Sequence, residues 1–179
     1  MNPNAPSKTQ RRLRDLVGLV LLVLFLPIIG PAVLLGVASY FIYASMVHIA
    51  IWLVWCTRGK FILFVYSDSP IWRDHILSDL LPRIRDHSVV LNWSERRNWR
   101  QHFSLPVMAF RAFGGPTRSK GFAREFNPMA VVFRPFRIGK AFRFWKAFKD
   151  YKHGTAEPLE KMESEFLTLV DSILARKAV

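Results

Sequence analysis

The chain has 179 residues, 51% of them hydrophobic, a formal net charge of +13 and a single cysteine. One cysteine excludes an internal disulfide, a cysteine-based zinc site and a Cys-x-x-Cys redox pair. The excess of 22 Lys and Arg over 12 Asp and Glu across residues 57–179, and of 14 over 3 across 93–152, attracts polyanions without distinguishing lipid headgroups from nucleic acid.

Residues 1–12 carry Pro3, Pro6 and small polar side chains and then the basic cluster Lys8, Arg11 and Arg12. With nothing to bury, they read as a disordered basic tail. From Leu16 to Cys56 no charged residue interrupts 41 positions. A helix crosses a bilayer core with about 20 apolar residues, so the segment 13–56 holds two such lengths, with Gly30-Pro31 near its middle. The prediction is a membrane helical hairpin with its turn near 27–31, since Gly ends helices and Pro starts them. A re-entrant hairpin broken at Pro27 and a single crossing by Ala32 to Cys56 are the other readings. Both flanks are basic, and basic flanks stay cytoplasmic. A hairpin therefore makes an integral membrane protein with both termini in the cytoplasm. Gly36-Val37-Ala38 could end a signal peptide, but cleavage there would leave the apolar run Tyr40 to Cys56. Trp52 and Trp55 are expected at the headgroup level. His48 is expected as a neutral imidazole bonded to a carbonyl or water, since neither helix offers a charged partner. Cys56 reads as a small apolar residue, with palmitoylation as the alternative.

Residues 57–179 read as one cytoplasmic domain. Lys60 to Tyr66 is β-branched and aromatic, a buried strand. Ser69 and Pro70 are placed to cap and open a helix whose stripe is Ile71, Ile76, Leu77, Leu80, Leu81 and Ile84. Ser88 to Trp93 is a second strand, parallel to the first through a right-handed crossover. Glu95 to Phe113 reads as helix broken at Pro106, and 114–127 as a loop rich in Gly, Arg and Lys. Met129 to Arg134 is a third strand, entered through Asn127-Pro128. Lys140 to Phe148 fits both a strand and a helical stripe; the strand is favoured because Ile138-Gly139 would turn it back onto 129–134. Pro158 opens a final helix with Leu159, Met162, Phe166, Leu167, Val170, Ile173 and Leu174 on one face, its acids early and bases late.

This order, βαβαββα over about residues 60–175, together with the loop Tyr66-Ser67-Asp68-Ser69-Pro70 and with Pro128 before the third strand, resembles the thioredoxin fold, glutaredoxins in particular. The resemblance implies an α/β domain with a cis-proline at Pro128 and a ligand loop at Ser67 to Pro70. It departs from the family where a reactive cysteine should stand: the loop offers Ser67, Asp68, Ser69, Ile71 and Trp72, and thiol-disulfide exchange needs a thiolate. Ser67, Ser69 and Pro128 remain candidates for binding glutathione or another anion at a helix start, against the plainer reading of the serines as caps.

Arg73-Asp74-His75 and Arg85-Asp86-His87 lack metal-ligand spacing and read as charge pairs on an exposed face. No hydrolase, nucleotide-binding or zinc motif is present, so no catalytic residue, metal or cofactor is assigned. Arg96, Arg97, Arg100, Arg118, Lys120, Arg124, Arg137, Lys140, Arg143, Lys146 and Lys149 interleave with aromatics. A solvated face normally mixes charge signs, and this one points to a membrane surface or an acidic protein. The expected function is that of a membrane-anchored, non-catalytic binding or scaffold protein. The alternatives are a transferase-like enzyme using the Ser67 to Pro70 loop and membrane-tethered nucleic-acid binding, the latter without a recognition motif.

Overall fold

A computed structural model of the protein describes residues 8–99, 104–114, 127–134 and 137–177. They form two compact units, Met1–Tyr43 and Ala44–Val179. The first is helical from Lys8 onward, because helix α1, Lys8–Val54, runs through its whole described length. Residues 8–12, expected in a disordered tail, are thus the first turns of a helix. Nor is there a hairpin turn at 27–31: Pro27 and Pro31 both lie inside α1. The physical reason is backbone satisfaction. Each proline removes one N–H, leaving the carbonyls of residues 23 and 27 without an intrahelical partner, whereas a turn would free several backbone groups at once. The two prolines are four apart, so both losses fall on one helix face. Exposed Leu24, Leu26, Ile28, Val33, Leu34 and Leu35 surround them.

The second unit is built on a four-stranded sheet of order β2-β1-β3-β4, with β1 at Ile62–Tyr66, β2 at Ser88–Asn92, β3 at Met129–Arg134 and β4 at Arg137–Arg143. β1 and β2 are parallel, Ile62 opposite Ser88, as the crossover between them requires. β3 runs antiparallel to β1, and β4 antiparallel to β3 with Met129 opposite Arg143. The Asn127–Pro128 bond is cis.

The crossover, α2 (73–87), is one helical run of mixed pitch: an α turn at Arg73–His75, a π turn at Ile76–Leu80, an α turn at Leu81–Ile84 and a 3-10 turn at Arg85–His87. The widened turn ends beside Pro82, which has no N–H to donate to the carbonyl a turn below, and there Leu81 N–H bonds to Ile76 O, an i to i+5 step. The run begins later than the sequence implies, since residues 70–72 form a turn and Pro70 stays outside the helix. After β2 come α3 (93–99) and α4, Leu105–Phe113. β4 is followed at once by α5, Trp145–Lys152, and then by α6, Glu157–Lys177. The ambiguous segment 140–148 therefore divides, strand to Arg143 and helix from Trp145. Residues 138–139 lie within β4, not in a turn before it.

Strand alternation gives the sheet two apolar faces. On one, Ile62, Phe64, Ala130, Val132 and Phe142 pack with Ile76, Leu80 and Ile84 of α2, Phe148 of α5 and Leu159, Phe166 and Val170 of α6. Phe144 joins this layer, with ring centroids 5.9 Å from Phe166 and 6.4 Å from Phe64. The opposite face carries Leu63, Val65, Met129, Val131 and Phe133, all buried. It is covered in part by the last turns of α1. Val47, Ile51 and Trp55, at four-residue spacing on one helical stripe, are all buried, and the Trp55 ring lies 6.2 Å from Phe133. Phe113 of α4 closes on Phe133 at 5.3 Å. Trp55, expected among lipid headgroups, is instead a core residue. The boundary expected at 56/57 falls inside this packing, and the compact unit begins at Ala44.

Candidate functional site

Ser67, Asp68 and Ser69 leave the carboxyl end of β1 beside the end of β2, where open parallel sheets usually hold ligands. Their own neighbours engage them. The Ser67 carbonyl accepts the Trp72 indole N–H at 3.1 Å. The Ser69 carbonyl accepts the backbone N–H groups of Trp72 and Arg73 at 3.3 and 2.9 Å, while its Oγ accepts from Ile71 N–H only at 3.5 Å. Asp68 donates its backbone N–H to Ser94 Oγ at 3.0 Å and accepts Asn92 Nδ2 at 3.2 and 3.0 Å on its two carboxylate oxygens. Arg73 Nε stands 3.8 Å from Asp68 Oδ1. A fixed carboxylate in the loop disfavours an anionic ligand by simple repulsion. Pro128 is buried beside β3, and the Oδ1 of its neighbour Asn127 is buried without a hydrogen-bond partner.

Burial raises the Tyr66 phenol above its ordinary 10.0, assisted by the Asp68 and Glu95 carboxylates and opposed by Arg73. A raised folded-state value favours the neutral phenol. Its stabilising contribution is complete below about pH 10 and is lost as pH rises through the folded-state value. Melting curves taken across that range should show the wild type losing stability relative to Tyr66→Phe above about pH 10; parallel losses in both proteins would refute the coupling.

The two Arg-Asp-His repeats hold more structure than exposed charge pairs. His75 is half-buried, its Nε2 2.7 Å from Glu163 Oε1 on α6 and its Nδ1 3.3 Å from Asp79 Oδ2. It thereby ties α2 to α6. His87 stacks on Phe61 at 5.6 Å and its Nδ1 lies 3.1 Å from the Gly59 carbonyl. His48 Nε2 lies 3.3 Å from the Arg134 carbonyl, with its ring edge-on to Phe113 and Phe133. No group of three or more metal-ligating side chains occurs among the described residues.

The basic candidates separate by position. Arg100, Arg118, Lys120 and Arg124 lie outside the described residues, and Arg137 opens β4. Arg96 and Arg97 are exposed on α3, the Arg96 guanidinium 5.4 Å from the Trp93 ring centre. Lys140, Arg143, Lys146 and Lys149 are exposed along β4 and α5. The Lys140 ammonium sits 4.7 Å from the Phe142 ring and that of Lys149 5.4 Å from the Trp145 ring. Lys152, at the end of α5, extends the series. Lys146, Lys149 and Lys152 recur at every third position of α5, a spacing that keeps them on one side of so short a helix. Among the described residues, ion pairs form at Arg73 and His75, and none forms at any of these lysines or at Arg143.

α1 is long and apolar enough to cross a membrane, an 18-residue stretch within Leu24–Arg58 reaching a mean hydropathy of 2.0. No protein family, curated protein or solved structure matches the chain.

Proposed function

We propose that this protein is a membrane-anchored, non-catalytic binding module that crosses the bilayer once through α1 and holds its basic domain against anionic lipid. The observation that carries the reading is the unpaired lysine strip of α5 in a domain whose second layer is the end of an apolar helix. Near a charged leaflet each Lys or Arg contributes about 1 kcal/mol of attraction, and lysines without carboxylate partners keep that attraction whole. The continuity of α1 supports a single crossing. With one crossing the two basic flanks fall on opposite sides, in place of both termini in the cytoplasm. A thioredoxin-like description of the domain is supported by the parallel β1 and β2 crossover, the antiparallel β3 and β4, and the cis bond before Pro128. Redox chemistry is not part of the proposal, because Cys56 precedes β1 whereas the loop follows it, at the other end of the strand.

The test uses the full chain in nanodiscs, either of phosphatidylcholine alone or of phosphatidylcholine mixed with phosphatidylglycerol. Lys146, Lys149 and Lys152 should be shielded from a water-soluble amine reagent in the anionic discs and modified freely in the neutral ones. Equal modification in both would dispose of the lipid reading.

A further inference from the structure

β4 is an edge strand, with β3 on one side and, among the described residues, no strand on the other. The ladder tells which of its backbone groups are unclaimed. Phe144 N–H donates to the Pro128 carbonyl at 2.9 Å, and in antiparallel pairing inward and outward groups alternate along the chain. Phe142, opposite Ala130, therefore directs its N–H and C=O to β3. Ala141 and Arg143 turn theirs outward.

Beside that edge lies a cleft between β4 and α6. Phe142, Pro158 and Met162 supply apolar lining, and Lys140, Arg143 and Lys161 supply cations, against a single acid, Glu165. The α6 contribution is one helix face, since Pro158, Lys161, Met162 and Glu165 follow the i, i+3, i+4, i+7 spacing. Edge strands commonly carry charge as protection against unwanted pairing, and that accounts for a lysine on β4. Protection by one sign is selective, however. Two copies of this edge would set like charges against each other, which disfavours self-pairing, while an acidic strand meets attraction, outward amides and an apolar surface together.

We infer that the outer edge of β4 takes an extended acidic segment of a partner protein as a fifth strand. The partner's backbone bonds to Ala141 and Arg143, one of its apolar side chains rests on Phe142 and Met162, its alternate carboxylates fall on the other face of the strand beside Arg143, and Lys140 and Lys161 add to the attractive field. This is strand addition, in which main-chain bonds supply affinity and side-chain pockets supply choice. It does not require the lipid reading, which rests on the lysine strip of α5.

The probe is a fluorescein-labelled hexapeptide of alternating Glu and Val, titrated by anisotropy into the full chain in neutral detergent micelles. Two further peptides carry N-methyl groups on the valines or on the glutamates. One isomer should bind as the parent does and the other at least about tenfold more weakly, because only alternate amides of an added strand face β4. The pair Lys140→Glu with Arg143→Glu should weaken the parent peptide by a similar factor. So should Ala141→Pro, which removes an outward N–H at an edge position where proline is tolerated. An unchanged melt shows that each variant is folded, and the isomer comparison needs no variant at all. Equal binding of both isomers, or no binding of the parent peptide, overturns the inference, including the case in which phosphatidylglycerol micelles occupy the cations and no strand is added.

Discussion

Cutting the chain before Thr57 will unfold the basic domain, whereas cutting it before Ala44 will leave it folded. The shorter fragment keeps all four strands and every helix after β1, but loses Val47, Ile51 and Trp55, which are 1%, 0% and 6% exposed. Truncating a buried Trp or Ile to alanine costs about 2–5 kcal/mol each. Removing the three side chains together costs on the order of 8 kcal/mol, comparable with the whole stability of an ordinary domain, about 5–15 kcal/mol. Two backbone contacts go with them, because the Trp55 carbonyl accepts the N–H groups of Arg58 and Lys60. Thermal circular dichroism of fragments 44–179 and 57–179 in the same detergent measures the difference. The longer should melt cooperatively and the shorter should show no cooperative transition. If both melt alike, the end of α1 is no part of the core. In the full chain, Ile51→Ala should lower stability by about 2–5 kcal/mol, and Leu53→Ala, on the 63% exposed side of the same turns, should change it by under about 0.5 kcal/mol.

Replacing Lys146, Lys149 and Lys152 together with alanine should reduce partitioning of fragment 44–179 onto phosphatidylglycerol-containing vesicles by about a hundredfold. The figure comes from about 1 kcal/mol per cation near an anionic surface and about 1.4 kcal/mol per tenfold change. The exposed apolar residues Met46, Ile49 and Leu53 bind neutral and anionic vesicles alike, so the difference between the two lipid compositions isolates the charge contribution. Raising the salt should erase the wild-type preference, since the Debye length falls from about 10 Å at 0.1 M to about 3 Å at 1 M. A triple variant that partitions like the wild type would remove the lysine strip from the membrane interaction. Because these side chains are exposed and form no ion pair, and the Lys149 contact with the Trp145 ring is an exposed one worth about 0.5–1 kcal/mol, the fold should be retained, and the melt of the variant is the control.

Much of the domain is legible in the amino-acid sequence. Strands at 62–66, 88–92 and 129–134 announce themselves as short β-branched and aromatic runs, and α6 as a clean amphipathic stripe, because local pattern and tertiary burial agree there. The end of α1 is not legible. Val47, Ile51 and Trp55 have the same apolar character as exposed neighbours such as Met46 and Ile49, and hydropathy cannot tell an exposed apolar side chain from one that meets Phe133. The turn expected at Pro27 to Pro31 does not form, because a proline inside a helix forfeits one hydrogen bond where a turn forfeits several, and α1 runs through both prolines. Segment 140–148 satisfies two periodicities because it is two elements. Of the site, the β4 and α5 cations can be read from their unmixed sign. Lys161 cannot, since it sits among Glu157, Glu160 and Glu163, and only the fold brings it beside Lys140 and Phe142. His75 is hidden similarly, its partner Glu163 lying 88 residues away.

The packing of Val47, Ile51 and Trp55 has a consequence for any released form of the domain. A protease acting between Trp55 and Lys60 removes all three of these core side chains from its own product, so such a cut yields an unfolded fragment for degradation. A cut earlier in α1 spares the fold but leaves Met46, Ile49 and Leu53 exposed on the fragment, an apolar stripe that favours burial against lipid or another chain. Clearance and release are thus decided by which turn of a single helix is severed.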